Sequence, residues 1–230
     1  MNTTVYTRWI FVFILGCILL APAFTEGTPE KAGTADIDSS ATVSYIEGDV
    51  FIDNKPADFG QIVEIGAVVR TGSSSLCDIN FGTANIFRIE ADTITKISIG
   101  PENREIEIEK GGIQAVFDKL KTFGTGTGDF AVRTPSAIAG IRGTVFYIRV
   151  ENPRSTYFCT CHGTIRQGGR GESEQKDVSA YHHKAYRYTK SGDTVTVEQG
   201  TLLYHDDAMM DALAAKIGVT IPWDKYSSGY

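Results

Sequence analysis

From Ala41 onward, apolar and polar positions alternate with a period of two in short runs. Leu76-Cys77-Asp78-Ile79-Asn80-Phe81 places Cys77, Ile79 and Phe81 on one face of an extended segment. Ile86–Ile89 and Ile94–Ile99 repeat the pattern, Ile106-Glu107-Ile108-Glu109-Lys110 alternates up to Gly111-Gly112, and Thr144–Val150 and Thr156–Cys161 continue it. Turn signals separate the runs: Asp53-Asn54-Lys55-Pro56, Thr71-Gly72, Phe81-Gly82-Thr83, Gly100-Pro101 and Asn152-Pro153. Many short strands with frequent glycine turns predict an all-β fold. A glycine recurs near a strand start at Gly48, Gly112, Gly163 and Gly200, at irregular spacing that excludes a regular solenoid. The arrangement suits a stack of hairpins and partial β-helical coils, where glycine turns a corner without steric cost. One stretch has a different period. In Asp206–Gly218, Met209, Leu213 and Ile217 stand at i, i+4 and i+8, acids fill the first turn, and Lys216 and Gly218 mark the end. This predicts a short C-terminal helix that caps an open end of the β-core.

The first 40 residues lack the alternation. Arg8 precedes an apolar run from Trp9 to Leu20, followed by Ala21-Pro22-Ala23. A basic start, an apolar run short for a bilayer span and an A-x-A site predict a secretory signal over 1–23, with Phe24 as the first mature residue. Ile14-Leu15-Gly16-Cys17 offers a rival, a lipoprotein box with a lipid on Cys17. Residues 24–40, rich in Thr, Gly, Ala, Ser, Asp and Glu, predict a flexible linker. The expected location is the periplasm or cell envelope, with membrane association only through an uncleaved or lipidated N-terminus.

Charge narrows the partners. The chain carries 28 acidic against 22 basic residues, a formal net charge of −6, with no basic stripe. Nucleic acid is therefore excluded as an expected partner. Phe123-Gly124-Thr125-Gly126-Thr127-Gly128 lacks a phosphate-binding lysine and leads into an extended run, so it reads as a linker and not a nucleotide loop. There is no G-x-S-x-G or H-E-x-x-H, and the carboxylates of Asp92 and Asp206-Asp207 have no identifiable partner in the sequence. No enzymatic activity is expected.

The candidate chemistry is concentrated late in the chain. All four histidines follow residue 160, as does Cys161, while Cys159 precedes it by two positions. Thiols at i and i+2 on a strand share a face. A disulfide between them would be strained, because their Cβ vectors are parallel and their Cα atoms far apart, and it would behave as a labile redox pair. Cys77, alternating with Ile79 and Phe81, reads as a buried hydrophobe. Same-face thiols with imidazoles suit a zinc or copper ion, and the candidate ligands are Cys159, Cys161, His182, His183 and His205. Because His182 and His183 are adjacent, only one faces a given site if both lie on a strand. The spacing matches no standard zinc finger, and C-x-C-H is one residue short of a haem attachment motif. The residues by themselves favour thiols and imidazoles that are packed or hydrogen-bonded without an ion, over a metal or redox site.

The stretch Arg133-Thr134-Pro135-Ser136-Ala137-Ile138-Ala139-Gly140-Ile141-Arg142-Gly143-Thr144-Val145-Phe146 ends a strand at Thr-Pro, and then brackets Arg142 between glycines before a new β-rich run. It resembles the signature of the FecR domain. Ala41–Val50, Ile65–Gly72, Phe81–Ala84 and Ala91–Thr95 are similar to the family's other elements, in the family's order. The resemblance covers about residues 41–165, leaving 166–230 as a C-terminal β extension with the histidines and the capping helix. It implies a curled, β-helix-like sandwich. It also implies an exported, non-enzymatic module that binds an envelope protein or a small ligand, here without the cytoplasmic anti-sigma region of the regulators that name the family. Thr134, Pro135, Gly140, Arg142, Gly143 and Thr144 form the expected ligand-binding or structural loop. A subset of the family has a similar C-x-C, H-H and H-x-D tail, matched here by Cys159, Cys161, His182 and His205. The alternative function is a periplasmic metal-binding or redox-active protein that uses this Cys-x-Cys/His cluster.

Overall fold

The period-two alternation becomes strands almost everywhere it occurs. The computed structural model describes residues 40–82, 84–100, 104–117 and 130–224. They belong to one compact unit, residues 35–230. The signal and linker expectations for residues 1–39, and the glycine cluster at 123–128, lie outside the described residues.

The first strands are β1 (Ala41–Glu47), β2 (Val50–Ile52), β3 (Lys55–Pro56), β4 (Ile62–Val63), β5 (Ala67–Thr71), β6 (Leu76–Phe81), β7 (Asn85–Ile89) and β8 (Ile94–Ile99). They are followed by β9 (Arg104–Phe117), β10 (Phe130–Arg133), β11 (Ala137–Ile141), β12 (Val145–Asn152), β13 (Ser155–Gly169), β14 (Lys176–Ala180), β15 (Lys184–Ser191) and β16 (Thr194–Gly200). A single described helix, α1 (Asp207–Ala215), closes the order. Among the described residues, one sheet runs β16-β15-β13-β12-β9-β7-β6-β1-β4. The other runs β3-β2-β5-β8-β9-β10-β11-β13-β14. Neighbours are antiparallel except the parallel pair β9–β10. The result is the expected all-β curled sandwich with a short C-terminal helix.

Two strands belong to both sheets, and here the sequence pattern misleads. The alternation at Ile106–Lys110 reads as stopping at Gly111-Gly112, and that at Thr156–Cys161 as ending before Gly163. Both instead run on as one long strand through the glycine, which turns the strand from one sheet into the other. Gly111 has φ +87° and Gly163 φ +105°, a backbone region that only glycine enters without strain. A Cβ at Gly111 would lie 2.6 Å from Thr93 Cα, and one at Gly163 would lie 2.6 Å from Thr144 Cγ2. Because β9 and β13 are shared, β9-β12-β13-β11-β10 closes into a ring of strands, a small barrel at the centre of the sandwich. β13 also runs across the division between residues 165 and 166.

The core lies between the sheets. Phe81, Phe117, Phe130, Phe146 and Phe158 form a continuous aromatic row, with ring centroids 4.8 Å apart for Phe117–Phe130 and 5.3 Å for Phe117–Phe146. Cys77 lies in the same core, fully buried, and burial pushes its thiol up to about 12. A second apolar cluster lies on the outer face of the first sheet. Ile86, Val116, Val145, Tyr147, Tyr157, Cys159 and Cys161 are covered there by Met210, Leu213 and Ala214 of α1 and by Ile221.

The helix differs from its sequence reading in two respects: it covers the outer face of the first sheet instead of capping an open end of the β-core, and its buried side is rotated. Its buried face is Met210, Leu213 and Ala214, while Met209 is exposed. The N-cap sets this rotation: Asp206 accepts from the Met209 N–H at 2.9 Å. At the other end, Lys216 Nζ donates to Asp78 Oδ2 at 2.5 Å. Asp78 is fully buried and also accepts from Arg88 Nε and Nη2, at 2.7 and 2.8 Å. The two cations neutralise a carboxylate that would otherwise be costly to bury.

Candidate metal centre

On β13, side chains alternate across the first sheet. Phe158 enters the core, and Tyr157, Cys159 and Cys161 face outward beneath the C-terminal segment. Both cysteines are fully buried and free. Each sulfur meets an imidazole brought from elsewhere in the chain.

His183 lies in the turn between β14 and β15. Its backbone is left-handed, φ 42°, and its N–H donates to the Cys161 carbonyl at 3.0 Å. Nδ1 lies 3.7 Å from Cys159 Sγ, and Nε2 lies 2.6 Å from Asp207 Oδ1. His205 lies between β16 and α1. It follows Tyr204, which is also left-handed at φ 68°. Its Nε2 is 3.2 Å from Cys161 Sγ, and its Nδ1 is 2.8 Å from the Leu203 carbonyl. A left-handed backbone is unusual for bulky residues and survives only where surrounding contacts hold it. Those contacts are present at Tyr204: its hydroxyl donates to Glu151 at 2.8 Å, and the Arg149 guanidinium lies 5.2 Å from its ring centroid. The His205 ring stacks on Tyr147 at 4.4 Å, and Trp223 stacks on His183 at 5.1 Å.

The hydrogen bonds assign the tautomers. A carbonyl can only accept, so His205 carries a proton on Nδ1 and turns Nε2 to Cys161. Asp207 fixes the proton of His183 on Nε2 in the same way, leaving Nδ1 facing Cys159. One ligand atom from each of Cys159, Cys161, His183 and His205 lies within 4.8 Å of all the others. Donors around one tetrahedral zinc, with bonds of about 2.3 Å to sulfur and 2.0 Å to nitrogen, stand about 3.3–3.8 Å apart. The 3.7 and 3.2 Å contacts approach those separations.

The electrostatics favour one thiolate. A hydrogen bond from the Cys161 thiol, aided by both imidazoles and opposed by burial, lowers the Cys159 thiol well below the usual range. Burial and the neighbouring Cys159 raise Cys161. Burial pushes His183 down, but its bonds to Cys159 and Asp207 outweigh it and leave the imidazole raised. Asp207 is lowered: burial works against ionisation, and the bonds to His183 and His182 overcome it.

Of the five candidate ligands, four converge and one does not. His182 projects to the surface, half exposed, and bonds Asp207 at 3.0 Å instead of approaching a thiol. The left-handed turn at His183 aims the second imidazole of the pair inward. Asp207, which has no identifiable partner in the sequence, is the residue that orients His183. Its signal was the H-x-D spacing from His205.

The loop residues occupy a separate place. Thr134 is buried and closes a turn to Ala137: its N–H donates to the Ala137 carbonyl at 2.9 Å, and its hydroxyl oxygen accepts from the Ala137 N–H at 2.8 Å. Pro135 follows the end of β10, and Gly140 pairs with Ala131 and Arg166 within the second sheet. Arg142 is exposed, and its charge helps lower Asp177. Gly143 has φ +104°. Gly143 and Thr144 line a cavity of about 230 Å³ with His162 and residues 219–222. None of these six residues belongs to the thiol–imidazole cluster.

Residues 67–166 match the model of the family described as FecR protein. The matched region supplies both thiols, and both imidazoles come from the chain beyond it. No curated protein matches the sequence. Two crystal structures of a candidate anti-sigma factor from Parabacteroides distasonis ATCC 8503 are similar with a TM-score of 0.45, at 11% and 10% sequence identity. The similarity covers 57% of this chain and 59% of that one, so the chain spans less than two thirds of that protein's length.

Proposed function

We propose, from the match of residues 67–166 to the FecR family model, that this protein is an exported, non-enzymatic binding module whose C-terminal extension completes a metal centre. The ligand best suited to it is a single zinc ion held by Cys159, Cys161, His183 and His205. The observation that carries this reading is the convergence of four donor atoms, all within 4.8 Å of one another, with each imidazole already oriented by an acceptor on its far nitrogen. Such outer partners are what zinc-binding histidines ordinarily have. Two thiolates would neutralise the charge of the ion. The cluster offers four protein donors, and the cysteines and His205 are almost wholly shielded from water, with exposures of 0%, 0% and 6%. A closed four-ligand site holds an ion and leaves no position for a substrate, which is the structural and not the catalytic form of zinc site.

Copper(I) is the competing ion, since thiolates also suit it. Elemental analysis of protein purified without chelator separates them, with about one zinc per chain expected. Cobalt(II) substitution should give the intense thiolate-to-metal absorption and tetrahedral visible bands of an S₂N₂ site. Protein that takes up neither zinc nor cobalt stoichiometrically would remove the reading. The regulatory role implied by FecR relatives points to a protein partner in the envelope as the binding module's further ligand.

A further inference from the structure

The four donors come from three separate parts of the chain: β13, the turn between β14 and β15, and the loop between β16 and α1. The last part belongs to residues 201–224, which pair with no strand and lie over the outer face of the first sheet. We propose that the ion in this site holds residues 201–224 against the sandwich, so that its occupancy sets whether this segment is docked. The inference rests on the zinc-site reading above.

The other attachments of the segment can be named, beginning with Tyr204 on Glu151 and Arg149, His205 on Tyr147 and Trp223 on His183. Tyr157 Oη donates to the Thr201 carbonyl and accepts from the Leu203 N–H, both at 3.1 Å. Lys216 bonds Asp78. Met210, Leu213, Ala214 and Ile221 are buried, and Trp223 Nε1 bonds Asp211 within the segment itself. Nine residues of helix do not persist alone in water, so α1 exists through this packing. The centre adds the element that most resembles a cross-link. His205 joins the segment to Cys161, and Asp207, in the first turn of α1, joins it to His183. Without the ion, two sulfurs and two imidazoles stay crowded in a water-poor site with nothing binding them together. Opening there relieves the crowding. It exposes Val145, Tyr147 and Tyr157 on the outer face and leaves the core between the sheets closed. A segment at the surface can open locally while the rest of the fold stays intact.

The linkage has a defined size. An ion that binds only the docked form suppresses opening by about 100-fold when present at 100 times its dissociation constant. The experiment is hydrogen–deuterium exchange on the full chain, zinc-loaded and after chelation, read by mass spectrometry. Amides in residues 207–217 should exchange about 100-fold faster after zinc removal, while peptides from β6, β7 and β9 change little. His205→Ala in the presence of zinc should reproduce the pattern of the chelated wild type. A protein that binds one zinc but shows unchanged exchange in 207–217 on its removal overturns this inference and leaves the zinc site standing. Acceleration across the whole sandwich also overturns it, since the ion would then support the entire fold. Wild-type protein that binds no zinc at all overturns the underlying reading.

Discussion

His205 reaches Cys161 with one ring nitrogen, Nε2 at 3.2 Å from Sγ, and its other nitrogen is bound at 2.8 Å to the carbonyl of Leu203, two residues back. The imidazole is thus held by its own loop and aimed at a strand whose thiol lies 44 residues earlier in the chain. An orientation fixed before any ion arrives lowers the ordering cost of binding one.

The first prediction separates ligands from their neighbours. Cys161→Ser and His205→Ala should each abolish stoichiometric zinc binding. Asp207→Asn removes only the orienting carboxylate and should weaken zinc by about 10- to 100-fold. His182→Ala, at an exposed position outside the four, should leave the affinity nearly unchanged. Competition against a chromophoric chelator measures all four, and a His182→Ala loss as large as that of His205→Ala would contradict the assignment.

The pH dependence of stability should carry the signature of Glu151. Hydrogen bonds from Arg187 at 2.7 and 2.8 Å, opposed by burial and aided by Ser155 and Tyr204, hold its carboxyl at about 2. A depressed folded-state pKa contributes stability above the ordinary carboxylate range, and that contribution is lost as pH falls towards about 2. Glu151→Gln should therefore lower Tm at pH 7, by about 2–4 °C for each kcal/mol lost in a chain of this size. The gap to wild type should close progressively in acid. A gap that stays constant from neutral pH to pH 3 would show that the charge of Glu151 does not matter to the fold.

The strand corner at Gly163 should tolerate no side chain. Gly163→Ala combines a left-handed backbone, costing about 1–3 kcal/mol, with the 2.6 Å approach to Thr144 Cγ2. Thr144→Ala in the same chain removes that methyl and should recover part of the loss but not the backbone cost. Denaturant midpoints for the double-mutant cycle measure the coupling. Full additivity would mean that the overlap is relieved elsewhere.

Asp78 should behave as a charge that needs its partners. Arg88→Ala leaves a buried carboxylate with Lys216 alone and should cost about 3–5 kcal/mol. Lys216→Ala, removing the more exposed cation, should cost less and chiefly loosen α1. Chemical denaturation ranks the two, and the reverse order would place the main support of Asp78 on the helix.

Export is the remaining expectation. We predict that the mature protein begins at Phe24, after the apolar run Trp9–Leu20 and Ala21-Pro22-Ala23. Intact-mass measurement checks it, and an N-terminal lipidated Cys17 or a retained Met1 would replace it.

The sequence by itself determined what short-range sterics determine. Successive strand residues point to opposite faces, so the alternation placed Cys77, Ile79 and Phe81 in the core and set Cys159 and Cys161 on one face together. The existence and approximate span of α1 followed from its period and its acidic first turn. Tertiary structure decided the rest. The glycines of β9 and β13 look like strand ends because their local signal is a turn, yet here a shared strand bends into the opposite sheet. Which of two adjacent histidines enters the site depends on a left-handed backbone at His183, which no propensity specifies and which the Cys161 carbonyl and Asp207 hold in place. Met210, not Met209, is buried because the Asp206 cap and the surface beneath the helix set its rotation. The thiols were legible because one strand carries them both, whereas the imidazoles required contacts between segments that only the folded chain brings together.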